Sequence, residues 1–342
     1  LKKLVLLGLL VSAPFVSSTS FAQQALPKEV PTPADNPITE EKILLGKTLY
    51  FDPRLSKDGS ISCNSCHNVM AGGDDNRAFS SGVGGKFGGR SSPTVWNSAF
   101  LSVQFWDGRA ASLEEQAKGP LTNPVEMAMD NHQVVVERIK KIPGYKPMFD
   151  NAFGKNTKIT IDHVVKAIAT YERTLITPNS RFDKFIEGDK KALTATEIKG
   201  FETMKSVGCF SCHSGPNFAG PQLPIGIGFY QKFPVYPGSV FDAKYKLTED
   251  KGRHDVTQEE ADLHMYRVPT LRNIALTAPY LHNGSVKSLD EAVRVMAKTQ
   301  LNKDLKAADV KNIVAFLKTL TGEFPKQTAP TLPATEGISL VD

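Results

Sequence analysis

Cys63-Asn64-Ser65-Cys66-His67 and Cys209-Phe210-Ser211-Cys212-His213 are two copies of C-x-x-C-H, and together they use all four cysteines of the 342-residue chain. The pattern is the attachment signature of a c-type haem. The two cysteines reach the two vinyl groups of one porphyrin as thioethers, and the adjacent histidine falls under the iron as its proximal ligand. A four-cysteine zinc site would bring its C-x-x-C pairs closer together and has no need of a histidine after each second cysteine. Disulfides, which an exported chain could form, would not set two histidines in the same register. The cofactor expectation is therefore two covalently bound haem c groups, one on Cys63, Cys66 and His67, the other on Cys209, Cys212 and His213.

Outward from the motifs, helical signals dominate. Val164, Val165, Ile168, Ala169 and Leu175 form one apolar face at helical spacing within 161–176. Thr194 with Glu197 and Ser288 with Glu291 fit the S/T-x-x-E capping box. A further amphipathic helix is expected over 307–320, closed by Gly322. Between these lie long Gly-, Pro- and Asn-rich segments, 72–93 and 215–237, which wrapping a cofactor would explain; Phe79, Phe87, Phe218, Phe229 and Tyr230 give them apolar anchors. The expected fold is mainly α: two cytochrome c-like domains, each wrapped around one haem, with long irregular loops. The motifs stand about one domain length apart, and Thr177-Pro178-Asn179-Ser180 is the natural boundary. The division is a signal peptide (1–22), an extended proline-rich lead-in (23–37), a first haem domain (38–178), a second haem domain (179–325) and a tail (326–342). An internal duplication fits this layout, although the sequences around the motifs do not establish it.

Residues 1–22 carry Lys2 and Lys3, then an apolar run, then small residues ending at Ala22, the order of a secretory leader. The run is too short to span a bilayer comfortably, so no membrane span is expected in the mature form. Since c-type haem is attached outside the bacterial cytoplasm, the expected location is the periplasm. Losing Lys2 and Lys3 lowers the formal charge from +5 to +3. The remaining basic residues are scattered, and a nucleic-acid partner is not indicated.

A haem with one protein ligand has a vacant face, and the residue filling it decides between electron transfer and small-molecule chemistry. Several further stretches bear on this. Leu45-Gly46-Lys47, Phe51-Asp52-Pro53-Arg54-Leu55-Ser56, Phe105-Trp106-Asp107-Gly108-Arg109-Ala110, Glu115 to Pro120 and Pro269 to Tyr280 occur in that order. From about Leu44 to Gly322 the chain resembles the bacterial dihaem cytochrome c peroxidases. The resemblance implies that hydrogen peroxide is reduced to water at the first haem with electrons from a small soluble cytochrome c or cupredoxin. It implies that Met296 completes a high-potential second haem, a role consistent with thioether ligation favouring reduced iron. Glu126 would be the distal acid–base group, Gln116 a neighbouring amide that helps hold peroxide, and Trp106 the indole between the haems. A calcium ion at the domain interface would take carbonyls of Thr277 and Pro279; its side-chain ligand, usually asparagine, is here Ser91, a weaker donor. A homodimer is also implied.

One position departs from the family pattern. Many members carry a histidine that closes the peroxidatic iron in the oxidised state, and the matching position here is Val83. Valine cannot bind iron, and no other histidine lies between His67 and Trp106. The first site is therefore expected to be open at rest, with little need of reductive activation. Two alternatives stand beside the peroxidase: a dihaem oxidase that modifies a partner protein, a group that carries tyrosine where this chain has Met296, and a non-enzymatic dihaem electron carrier, which would want both irons closed. His254 and His264 read as loop residues, and His282 as structural or tuning the electron route.

Overall fold

Gly46 and Gly200 mark two helix crossings where backbone packs directly on backbone. Helix Glu40–Phe51 crosses helix Ile161–Glu172 so closely that a Cβ on Gly46 would lie 1.9 Å from the carbonyl oxygen of Ala167. Helix Ala195–Val207 crosses helix Ala307–Lys318 in the same way, and a Cβ on Gly200 would lie 2.0 Å from the carbonyl oxygen of Asn312. Only a residue without a Cβ permits either approach. The computed structural model describes residues 23–335, 337, 339 and 340; the expected leader, 1–22, lies outside the described residues.

Several of the helices begin where a side chain satisfies free N–H groups of the first turn. Thr39 caps the first by accepting from Lys42 N, with Glu40 and Glu41 in the first turn, where negative charge suits the helix dipole. Thr160 caps Ile161–Glu172, and Thr194 with Glu197 forms the complete capping box expected from sequence. At Ser288 only half of the expected box is present. Ser288 accepts from Glu291 N, but the Glu291 carboxylate is drawn away by Tyr245 (2.6 Å) and Lys244 (2.9 Å). Two helices end earlier than their periodicity suggests, at Glu172 rather than Ile176 and at Lys318 rather than Leu320.

The fold is mainly helical, as expected, and its only sheet among the described residues is an antiparallel pair, Tyr230–Lys232 with Met265–Arg267. Two large apolar clusters form among the described residues. One gathers residues between Leu45 and Leu175, the other between Phe182 and Leu320, where Phe182, Phe218 and Phe316 interlock edge to face. The ends of the chain cross over. In the lead-in, Leu26 N donates to Asp183 and Gln23 to the carbonyl of His213. Near the C-terminus, Gln327 accepts from Tyr171, Pro333 O accepts from Arg54 (2.7 Å), and Phe324 packs edge-on against Trp96.

An internal repeat, unproven around the motifs, is plain elsewhere. Pro93 to Gln116 and Pro269 to Ala292 align without a gap at an offset of 176 positions, with Pro93 and Pro269, Thr94 and Thr270, Asn97 and Asn273, Gly108 and Gly284, and Ser112 and Ser288 identical. Asn97 (φ 64°) and Asn273 (φ 60°) hold the same left-handed backbone before a 3-10 turn. The bridges Gln104–Ala110 and Tyr280–Val286 correspond, and Ser112 and Ser288 cap the helices that follow.

Candidate active site

The first C-x-x-C-H forms a single helical turn, Cys63–Cys66, whose start is closed by Ser62 and Ser65 in a reciprocal capping pair. His67 follows as its C-cap, and the hydroxyl of Tyr50 donates to the His67 carbonyl at 2.7 Å. His67 Nδ1 lies 2.9 Å from the carbonyl oxygen of Pro93. A carbonyl can only accept, so Nδ1 carries the proton and Nε2 keeps its lone pair for a metal. The second motif is built differently but ends alike. Gly208, in the left-handed region (φ 107°), stops the preceding helix, a 3-10 turn Cys209–Ser211 follows, and His213 Nδ1 lies 3.0 Å from the carbonyl oxygen of Phe218. Burial holds both imidazoles below their ordinary value, which keeps them neutral as ligands must be.

Each motif opens on its own cavity, so the two C-x-x-C pairs do not share a metal site. The first cavity, of ≈ 330 Å³, is lined by Cys63, Cys66, His67, Trp106, Gln116, Pro120 and Glu126. The second, of ≈ 450 Å³, is lined by Cys209, Cys212, His213, Met296, Trp106 and His282. Both walls are largely apolar, and each carries a pair of thiols with the neutral imidazole of its own motif. That donor set fits a covalently attached haem in each cavity.

The structure thus brings Trp106, Gln116 and Glu126 to the first cavity and Met296 to the second. Burial pushes the Glu126 carboxyl up from its ordinary value, against the pull of the Arg109 charge and a hydrogen bond with Asn123. Arg109 itself lies 3.5 Å from the centre of the Phe105 ring and pairs with Asp107. Trp106 borders both cavities, and its indole N–H donates to Ser91 O at 2.8 Å. Val83 does not line the first cavity, although its neighbour Gly82 does. The loop instead pins the acid's backbone: Val83 N donates to Glu126 O at 2.8 Å, and Gly82 lies so close to Val125 and Glu126 that a Cβ there would clash.

Ser91, Thr277 and Pro279 all border the second cavity. The Ser91 hydroxyl is already engaged with Arg77 O at 3.3 Å, while Asp74, on the same wall, was not anticipated. Asp74 is 4% exposed, its Oδ1 has no hydrogen-bond partner, and burial pushes its carboxyl up to about 6. The oxygen chemistry there suits a hard cation better than serine alone would.

Sequence reasoning also missed Pro120, Glu172 and Arg267. Pro120 was legible in principle, because the repeat matches it with Met296: where the second half offers a thioether, the first offers a ring with no donor atom. Glu172, in the wall of the first cavity, and Arg267, in the walls of both, carry no local sequence signal. His282 is buried and stacks on Tyr266 at 4.6 Å, and burial lowers its imidazole to about 4. His264 Nδ1 lies 2.9 Å from Asp250 O, in keeping with a loop-packing residue.

Residues 40–191 match a family described as di-haem cytochrome c peroxidase. The chain is 44% identical over 330 residues to a cytochrome c551 peroxidase of Nitrosomonas europaea, covering 96% of this chain and 93% of that protein. It is 45% identical over 311 residues to a cytochrome c551 peroxidase of Pseudomonas aeruginosa, covering 90% and 87%. Among solved structures, a MauG-like protein associated with microbial copper homeostasis superposes with a TM-score of 0.76 at 29% identity, covering 87% of this chain and 95% of that one. No helix among the described residues is long and apolar enough to cross a membrane.

Proposed function

The chain belongs to the di-haem cytochrome c peroxidase family, and from that premise we propose that it reduces hydrogen peroxide to water in the first cavity with electrons received at the second. The observation that carries the reading is the asymmetry of two otherwise repeated cavities: Met296 on one, and Pro120 with Gln116 and Glu126 on the other. Haem, when attached at Cys63/Cys66/His67 and Cys209/Cys212/His213, supplies redox-active iron.

The protein's own contribution is to place and move protons. Peroxide reduction needs a base for one oxygen and an acid for the other, and a carboxyl that burial raises above its ordinary value is suited to exchange a proton in both directions. Gln116 offers an amide that can orient peroxide beside it. Trp106, common to both walls, is the proposed route between them. Met296, which would hold the second haem together with His213, would favour reduced iron there, which suits an electron entry, and argues against the protein-modifying oxidase, a group that typically carries tyrosine at that position.

The first site is proposed to be open at rest, because neither Val83 nor Pro120 can ligate iron. A calcium ion between the halves would draw on the carbonyls of Thr277 and Pro279 and on the Asp74 carboxylate, in place of the usual asparagine at Ser91. A small soluble cytochrome c or cupredoxin as donor, a homodimer and a periplasmic location complete the proposal. It also includes a boundary between the two haem domains at 178/179.

The test mixes the oxidised holoprotein with cyanide and, separately, the reduced donor with peroxide. Cyanide should bind without prior reduction, and peroxide should oxidise the donor catalytically. Glu126→Gln should slow turnover by about 10²–10⁴-fold with cyanide binding retained. Binding of cyanide only after one electron is added would sink the open-site reading, and absence of turnover would sink the peroxidase.

A further inference from the structure

The wall common to the two cavities consists of the Ser91–Thr94 segment, Leu101, Trp106 and Arg267, and Arg267 is the one charged side chain in it. Arg267 is 5% exposed. It ends the strand Met265–Arg267; its backbone N–H donates to Trp106 O at 2.8 Å, its Nε to Phe105 O at 3.1 Å and its Nη1 to Val268 O at 3.1 Å. Nη2 takes part in none of these bonds. Three arginines are buried among the described residues. Arg173 pairs with Glu114 and Arg272 with Asp183, each at 2.7 Å, but Arg267 has no carboxylate partner. Asp107, whose charge reaches it, is already held by Arg90 and Arg109.

A buried guanidinium left with carbonyls alone is an expensive arrangement unless an anion completes it. Burial lowers the group to about 10, so it stays a cation at neutral pH. Its planar fork is matched by carboxylates, which it binds through two parallel N–H groups. The acids that would enter this wall are the two propionates that every haem carries. We infer that Arg267 is the shared anchor for haem propionates from both cavities, and that it tunes both irons at once. The inference rests on the two-haem reading above. A cation beside the propionates offsets their negative potential at the iron and favours the reduced state. Because one side chain serves both sites, a change at Arg267 should reach both haems, whereas a wall residue with a merely structural role would alter stability alone.

The experiment measures the midpoint potentials of the two haems by optical redox titration of the purified holoprotein, with haem content per chain determined first. Arg267→Gln keeps a donor for the Phe105 or Val268 carbonyl but removes the charge; Arg267→Lys keeps the charge. In the Gln variant both potentials should fall by about tenfold in the reduction equilibrium, about 59 mV for one electron, and the Lys variant should retain most of the wild-type values. Loss of a haem from the Gln variant but not from the Lys variant would equally support anchoring through charge. Unchanged potentials in a fully loaded Gln variant, or a Lys variant that behaves as the Gln one does, would overturn the inference. Fewer than two haems in the wild-type chain would instead overturn the two-haem reading on which it rests.

Discussion

At the residue scale, the two carboxyls that line the first cavity are both raised by burial but differ in what faces them. Glu126 has a cation within electrostatic reach in Arg109. Glu172 is 6% exposed and its Oε2 has no partner; burial is the main cause pushing its carboxyl up to about 8, Arg173 pulls it down, and Glu114 pushes it further up. Tyr171 beside it on the same helix, and Tyr50 and Cys63 from the adjoining elements, also face it and carry no positive charge. A carboxyl raised in the folded state from an ordinary 4.5 stabilises the fold fully below that value. Above it the unfolded chain releases the proton more readily, so stability declines as pH rises from about 4.5 through about 8. Thermal denaturation of the holoprotein across that range should therefore show a decline that Glu172→Gln removes; identical pH profiles for the two proteins would contradict it. None of this is legible in sequence, where Glu172 is one more polar position on an amphipathic helix. By contrast, C-x-x-C-H is legible because one covalent cofactor dictates three residue identities within five positions.

At the element scale, capping was read correctly where it is local and only partly where it is not. Thr194 and Glu197 satisfy one another, whereas Glu291 is captured by Tyr245 and Lys244 from another part of the chain. The repeated segment shows the same division. Asn97 and Asn273 keep one backbone geometry, and Thr94 and Thr270 each donate to a carbonyl near the histidine motif, Gly72 O and Asn217 O. Yet Trp106 matches His282 and Pro120 matches Met296, so equal scaffolds present unequal side chains to their cavities. The helix crossings are the most exacting contacts at this scale. Gly200→Ala should destabilise the second half by about 1–3 kcal/mol, the range for overpacking, because the obstructing atom is a helix carbonyl that cannot rotate away. Chemical denaturation followed at the second haem would register it, and an unchanged midpoint would mean that the helices separate without penalty.

At the scale of the whole molecule, the terminal segments tie the halves together against sequence order: the lead-in binds Asp183 and His213, and the tail binds Arg54 and Tyr171. Removing residues 326–342 should lower stability by about 1–3 kcal/mol through the bonds to Arg54 and Tyr171, with haem content unchanged; an unaltered melting temperature would show that these contacts are replaced by water without loss. Two haem attachment motifs, a mainly helical chain and its family were readable from residue order, because each of these depends on residue types at short fixed spacings. The tertiary structure alone decided that Trp106 and Arg267 form a common wall, that Asp74 and Glu172 are buried without a full set of partners, and that Val83 pins Glu126 from behind instead of facing the cavity. Those features arise where segments far apart in the chain exclude water together, and burial, which sets both the charge state and the partners of such groups, is a property of the assembled fold and not of any stretch of sequence.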